Sequence, residues 1–286
     1  MPIAPERCQL VFQKLEQDLD KLAAKPEAKK VHRFRTDARR LQTLLEELAP
    51  SRDRNQKKLL KLLIRLRKRA GKVRDLDVQL AALHSLKMPQ EPRRKTQLTQ
   101  ELIELRTRQE TKLSKTLTKE VVRDLRKRLK RAHKEFNPGT INDPLSVAKQ
   151  ILEPVTKAAP SLTEDLLHQY RILGKRARYA AEFAPKSPQS VEFIAQLKRA
   201  QDALGDWHDW LILTQTAAKN LGEVRESSLV AALHNVTGAK FRNAVTALSA
   251  SRTRLPSSKT MPSGQRNLRK KQSSTTGSAA RSYTAA

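Results

Sequence analysis

The two halves of this chain carry the same short motifs in the same order, and a repeat of that kind restricts the fold more than any other feature. His32-Arg33-Phe34-Arg35 aligns with His168-Gln169-Tyr170-Arg171, which puts Arg39-Arg40 on Lys175-Arg176 and Glu46 on Glu182 without a gap. Further on, Gly71-Lys72-Val73-Arg74-Asp75 aligns with Gly205-Asp206-Trp207-His208-Asp209, and the offset has changed only from 136 to 134. Two separate segments matching in order set this apart from a chance likeness between basic amphipathic helices. The simplest architecture is one unit used twice and related by a pseudo-twofold axis, with halves at about 5–137 and 141–250.

The repeated unit reads as helical. Leu59, Leu62, Leu66, Val73, Leu80 and Leu83 follow heptad-like spacing, one apolar stripe on a long helix. Breaks fall at Lys25-Pro26, Ala49-Pro50-Ser51, Met88 to Pro92, Phe136 to Gly139, Ala159-Pro160-Ser161 and Ala184 to Pro188. Glu153-Pro154 lies inside a short helix and is expected to kink it. This predicts an all-α fold of two four-helix bundles, about four helices before residue 137 and four after 141, with the fourth helix covering Lys112 to Lys134. Aromatics at 4% and only 8 Gly argue against a sheet-rich alternative. Cys8 is the single cysteine and excludes a disulfide scaffold. No apolar run approaches the roughly 18 residues of a membrane span, and the amino terminus lacks a secretory signal pattern. A soluble intracellular protein, placed in the cytoplasm, is the expectation.

The 58 Lys and Arg against 29 Asp and Glu leave a net charge of +29. Residues 251–286 hold eight basic side chains, no acid and thirteen Ser or Thr, the composition of a disordered tail. Removing those 8 from 29 leaves +21 on residues 1–250, so the folded part is itself a polycation. Its partner should be anionic: nucleic acid, a membrane surface or a phosphate polymer.

Val31, Phe34, Ala38, Leu41, Leu45 and Leu48 repeat at threes and fours as a buried face, and Leu167, Tyr170, Gly174, Ala177 and Ala181 do so in the second copy. One residue later runs a cationic stripe: His32, Arg35 and Arg39, then His168, Arg171, Lys175 and Arg178. Such offsets span roughly 80° of the helix and some 15 Å of its length. The stripe borders the apolar face, where guanidinium groups can grip a row of phosphates in a groove between helices. Lys61, Arg65, Lys68 and Lys72 ascend the next helix towards Arg74 and Asp75. Asp75, and Asp209 beside His208, have two readings: acids that orient a ligand-binding cation, or interhelical ion pairs. His32 and His168 are likewise either partly buried imidazoles with a satisfied hydrogen bond or members of the site. A metal site is not expected, since no His or Cys pair stands at ligand spacing. Trp207 and Trp210 at i and i+3 are read as core.

His-x-x-Arg-x-x-x-Lys/Arg-Arg early in each half, followed by Gly-x-x-Arg/His-Asp, resembles the CHAD family of conserved-histidine α-helical domains. The best matches are His32 to Arg35, Lys72 to Val78, His168 to Tyr179 and Gln201 to Asp206, within a resemblance over about residues 5–250. It implies two four-helix bundles related by pseudo-symmetry, with a basic groove or pore that binds inorganic polyphosphate, and the leading expectation is a non-catalytic protein without cofactor, associated with polyphosphate granules. Together with the stripes it singles out His32, Arg35, Arg39, Arg40, Lys61, Arg65, Lys68, Lys72, Arg74, His168, Arg171, Lys175, Arg176, Arg178 and His208 as ligand contacts. Asp75 and Asp209 are then orienting acids. Two positions break the repeat: Gln42 stands opposite Arg178, and His208 opposite Arg74. The alternative is a nucleic-acid-binding protein of nucleoid type using the same charge without sequence preference, although few aromatics are available to stack on bases. An enzyme acting on phosphate polymers is the third possibility. It is disfavoured because neither a Glu-x-Glu-x-Lys run nor a Gly-rich phosphate loop is present.

Overall fold

The computed structural model describes residues 5–88, 91–157, 162–222, 224 and 227–254. Among these residues the fold is all-α, with nine α-helices and no strand. They are α1 (Pro5–Ala24), α2 (Ala28–Thr43), α3 (Arg54–Ser85), α4 (Pro92–Thr116), α5 (Lys119–Glu135), α6 (Pro144–Thr156), α7 (Glu164–Ala181), α8 (Pro188–Leu221) and α9 (Ser228–Arg254). A π-helical turn, Leu44–Leu48, extends α2, and a short 3-10 turn, Pro138–Thr140, follows α5. The tail expected to be disordered lies outside the described residues from 255 onward, and so do residues 158–161 of one expected break.

Starts and stops follow local chemistry. Asp53, Thr118, Asp143, Thr163 and Ser187 each accept a backbone N–H of the first turn they precede. Pro92, Pro144 and Pro188 open their helices at the position where a missing N–H costs nothing. Pro154 sits inside α6, as expected. One expectation needs correction: the helix read over Lys112 to Lys134 is two. Leu117 leaves helical geometry, and Thr118 restarts the chain by accepting the Val121 N–H at 3.3 Å. The count is therefore five helices before residue 137 and four after 141.

The predicted apolar face of α2 and its π turn is buried along its full length, and so is that of α7. Trp207 and Trp210 are both in the core. Two apolar clusters organise the packing, and each combines both halves of the sequence. The larger joins Phe34, Leu41, Leu63 and Leu129 to Leu152, Tyr170, Phe183 and Trp207. The smaller joins Leu83, Leu98 and Leu102 to Trp210, Leu213, Leu229 and Leu233. The long helices α3 and α8, of 32 and 34 residues, contribute to both clusters and pack against one another. At roughly 50 Å each, they tie the two cores together.

Two acids meet between α1 and α2. Asp18 and Asp37 are each 7% exposed and hydrogen-bonded to one another. Burial first, then that bond and the neighbouring charge, lift the Asp18 carboxyl from 3.8 to about 6. The folded protein thus holds a proton that the unfolded chain has released. Stability from this group is fully present below about pH 3.8 and is lost as pH rises through about 6. Asp18→Asn, which keeps a donor towards Asp37, should stabilise the protein at mildly alkaline pH by on the order of 1 kcal/mol and raise its melting temperature there. It should also flatten the fall in stability between acidic and neutral pH. Thermal unfolding across that range is the check, and an unchanged pH profile would remove Asp18 as its source.

Candidate functional site

Helices α2, α3, α7 and α8 pack pairwise, α2 on α3 and on α7, α8 on α7 and on α3. The stripe beside each buried face turns inward where they meet. The first contact lies at Gly71 of α3. A Cβ there would stand 3.7 Å from the Arg35 guanidinium, an ordinary van der Waals distance, so Arg35 passes directly over this turn. Arg35 donates to the Asp75 carboxylate at 3.1 Å and reaches the Gly71 carbonyl oxygen at 3.4 Å. Asp75 is therefore an interhelical partner that fixes Arg35 at the edge of the site.

Two adjoining cavities, of about 370 and 190 Å3, share Arg39, Arg171, Lys175 and Tyr179 and form one cleft. The larger is completed by Gln42, Thr43, Glu46, Glu47, Arg67, His168, Ile172 and Arg176. The smaller is completed by His32, Arg35, Thr36, Arg74, Asp75, Val78 and Asp209. Two cavities overlapping on three cations place positive charge at the centre of the cleft.

Those central cations have no protein counter-charge in contact. Among the described residues Arg39, Arg67, Arg171 and Lys175 make no ion pair or hydrogen bond, and the Nε atoms of Arg67 and Arg171 are buried without an acceptor. Their acidities record the cost. Burial first, then Arg171 and Arg39, pulls the Lys175 ammonium from 10.5 down to about 8. Burial, then Arg39 and Arg35, brings the Arg67 guanidinium down to about 10. Arg39 and Arg171 are lowered as well, again chiefly by burial, with acids such as Asp75 and Asp209 opposing. Half-buried cations facing each other without an acceptor are unfavourable in the free protein, and a bound polyanion would relieve all of them together.

The histidines flank this centre. His32 and His168 are held below the ordinary histidine range, chiefly by burial and then by Arg74 and Arg171 respectively, which favours neutral imidazoles. The His168 and His208 rings are tilted against each other, centres 5.7 Å apart, and the His208 Nδ1 lies 3.7 Å from Asp209.

Several expected contacts fall outside both cavities. Arg40 is held between Asp37 at 2.7 Å and Glu182 at 2.8 Å. Arg178 donates to Gln201 and Glu182, both at 2.8 Å, and lies 4.8 Å from the Tyr179 ring centre. Lys61, Arg65, Lys68 and Lys72 are exposed on another face of α3, and His208 sits behind His168. Arg176 reaches the rim but is tied to Glu47, its Nε at 3.1 Å. Conversely, Arg67 and Tyr179 line the cleft without having been singled out from the sequence. Arg67 carried a signal, since Arg67, Gly71 and Arg74 follow at i, i+4 and i+7 on one helix face. In the repeat register Gln201 stands opposite Arg67 just as Gln42 stands opposite Arg178. In that sequence register the arginine and the glutamine stand on exchanged helices. In the second half the arginine is bonded to its glutamine, whereas Gln42 donates to Glu46 at 2.7 Å and leaves Arg67 free.

The comparisons agree with this architecture. The crystal structure of the CHAD domain from the plant Ricinus communis superposes with a TM-score of 0.63 at 18% identity, covering 88% of this chain and 91% of that one. PptA from Streptomyces chartreusis gives the same TM-score of 0.63 at 17% identity, covering 88% of this chain and 99% of that one. No curated protein sequence matches the chain. The sequence matches the CHAD domain over residues 7–218, a span that includes all four helices of the cleft up to the last turn of α8, and the chain belongs to the CHAD family.

Proposed function

We propose that this protein binds inorganic polyphosphate in the cleft between α2, α3, α7 and α8, and holds it without turning it over. The observation that carries the reading is the set of four half-buried cations, Arg39, Arg67, Arg171 and Lys175, with no protein partner. A thin chain of phosphates supplies an acceptor to each of them at once. Neither form of nucleic acid fits as well. A duplex is too wide for a cavity of about 370 Å3 and would touch only its rim. Single strands rely on exposed aromatic faces, whereas the Tyr179 ring is buried and flanked by the Arg178 and Arg40 guanidinium groups at 4.8 and 5.9 Å. Of the four carboxylates that line the cleft, Asp75, Glu47 and Glu46 are engaged by Arg35, Arg176 and Gln42, and Asp209 lies 3.7 Å from His208, which suits holding a ligand more than attacking it. Association with polyphosphate granules follows from such binding. No described helix is long and apolar enough to cross a membrane.

The test is a salt series comparing polyphosphate with duplex DNA of equal charge, by fluorescence anisotropy. Both should weaken as counterion release loses its advantage. DNA should be lost first and be displaced by polyphosphate. DNA binding that polyphosphate cannot displace would overturn the reading.

A further inference from the structure

Residues 54–74 hold ten Lys or Arg and not one acid. Arg67 and Arg74 from this run face the cleft. Lys58, Lys61, Arg65, Lys68 and Lys72 do not. Their spacings of three, four, three and four put them in a single row about 21 Å long, roughly 120° round α3 from the face of Arg67, Gly71 and Arg74. All five are exposed, and none makes an ion pair or hydrogen bond with a described residue.

Several cations on other helices are paired instead. On α5, Arg126, Arg128, Lys130 and Arg131 each have a carboxylate within ion-pair distance. So do Arg106 and Arg108 on α4, and Lys198 and Arg199 on α8. The α3 row instead stacks like charges at i, i+3 and i+4, an arrangement that destabilises a helix. We propose that this row is a second polyanion track, which takes the part of a long polyphosphate chain that extends beyond the cleft. The assignment rests on the cleft reading above. The row runs lengthwise along one face of α3, which suits an extended flexible chain more than a plane such as a membrane. It also shares a helix with the cleft: Lys68 adjoins Arg67 and Lys72 adjoins Gly71, so a chain leaving the cleft over α3 meets the row directly.

The full chain should be titrated with tripolyphosphate and with long-chain polyphosphate, as wild type and as two charge-matched variants. The row variant is Lys61→Gln with Arg65→Gln and Lys68→Gln. The control is Lys127→Gln with Lys130→Gln and Arg131→Gln on α5. The row variant should keep tripolyphosphate affinity within about twofold, lose roughly tenfold or more for the long chain, and lower the salt slope for that chain by about two. The control should lose no more than about threefold for either ligand. Glutamine keeps the helix propensity and removes repulsion, so the row variant should melt at or above the wild-type temperature. Equal losses in the two variants, or an unchanged long-chain affinity in the row variant, would overturn the track. Duplex DNA binding that depends on the row while long-chain polyphosphate does not would reassign it to nucleic acid. Failure of the wild type to bind tripolyphosphate would instead sink the cleft reading. Binding of tripolyphosphate with no gain for the long chain would sink the track alone.

Discussion

Replacing Arg39 and Arg171 together with methionine should weaken polyphosphate binding by roughly two to three orders of magnitude and, in the same protein, raise the melting temperature without ligand. Both side chains line both cavities of the cleft, and neither has a protein acceptor. In the free protein each guanidinium is held half-buried against Arg35 and the other cations, which is why both are pushed to lower pKa. Methionine keeps the apolar stem and its packing and removes only the unpaired charge. Charge-assisted hydrogen bonds at such a site are worth about 1.5–3 kcal/mol each, so losing two accounts for the expected drop. Neutralising Lys127 and Lys130 removes the same charge from the solvent face of α5, where screening leaves little to lose. Arg35 is a weaker choice than the stripe alone suggests, because its Asp75 partner at 3.1 Å already compensates it. Two outcomes would sink the prediction: equal loss from the α5 pair, which would make binding a matter of net charge, or a lower melting temperature, which would make Arg39 and Arg171 structural.

The sequence made the helices, the buried faces and the cationic edge of α2 and α7 legible because each depends on spacing within one helix. Phe34, Leu41, Tyr170 and Ala177 are buried for the same periodic reason that Arg39, Arg171 and Lys175 are not. What spacing cannot report is which acid another helix delivers. Arg40 and Arg176 are equivalent in the repeat, and both are bound by glutamates from the opposite half, Glu182 and Glu47. Those partners lie 142 and 129 residues away, so a stripe position that looked free is occupied. The match is also shifted by one. The sequence register pairs Glu46 with Glu182, yet Glu47, within the π turn Leu44–Leu48, makes the contact. Rotation about α3 accounts for the other difference. Arg67 and Lys68 are neighbours in sequence and about 100° apart on the helix, so a row drawn through Lys61, Arg65, Lys68 and Lys72 reaches solvent while Arg67 reaches the cleft. The Thr118 restart was hidden for a simpler reason: a threonine within a basic helical run is an ordinary helix residue until its hydroxyl caps the next turn.

Polyphosphate affinity should fall by about tenfold per pH unit once the pH passes about 8, and Lys175→Arg should abolish that fall. Burial, followed by Arg171 and Arg39, holds the free Lys175 ammonium at about 8 instead of 10.5. A phosphate chain in the cleft places anions beside it and restores the proton, so binding above pH 8 must draw a proton from solvent. His32 and His168, already held below the ordinary histidine range, do not titrate in this window, and Arg67 begins to do so only near 10. Arginine in place of Lys175 stays protonated throughout and removes the linkage. The sign for stability is the opposite. Between about 8 and 10.5 the unfolded chain holds the Lys175 proton and the folded protein does not, so this residue makes the ligand-free protein more stable as pH rises across that window. Affinity falling while stability rises separates proton linkage from alkaline unfolding, which would lower both. Calorimetry in buffers of different ionisation heat measures the proton directly: close to one taken up per site in the wild type above pH 8, and none attributable to this position in Lys175→Arg. No proton uptake in the wild type, or the same slope in the arginine variant, would remove Lys175 from the centre of the cleft's chemistry.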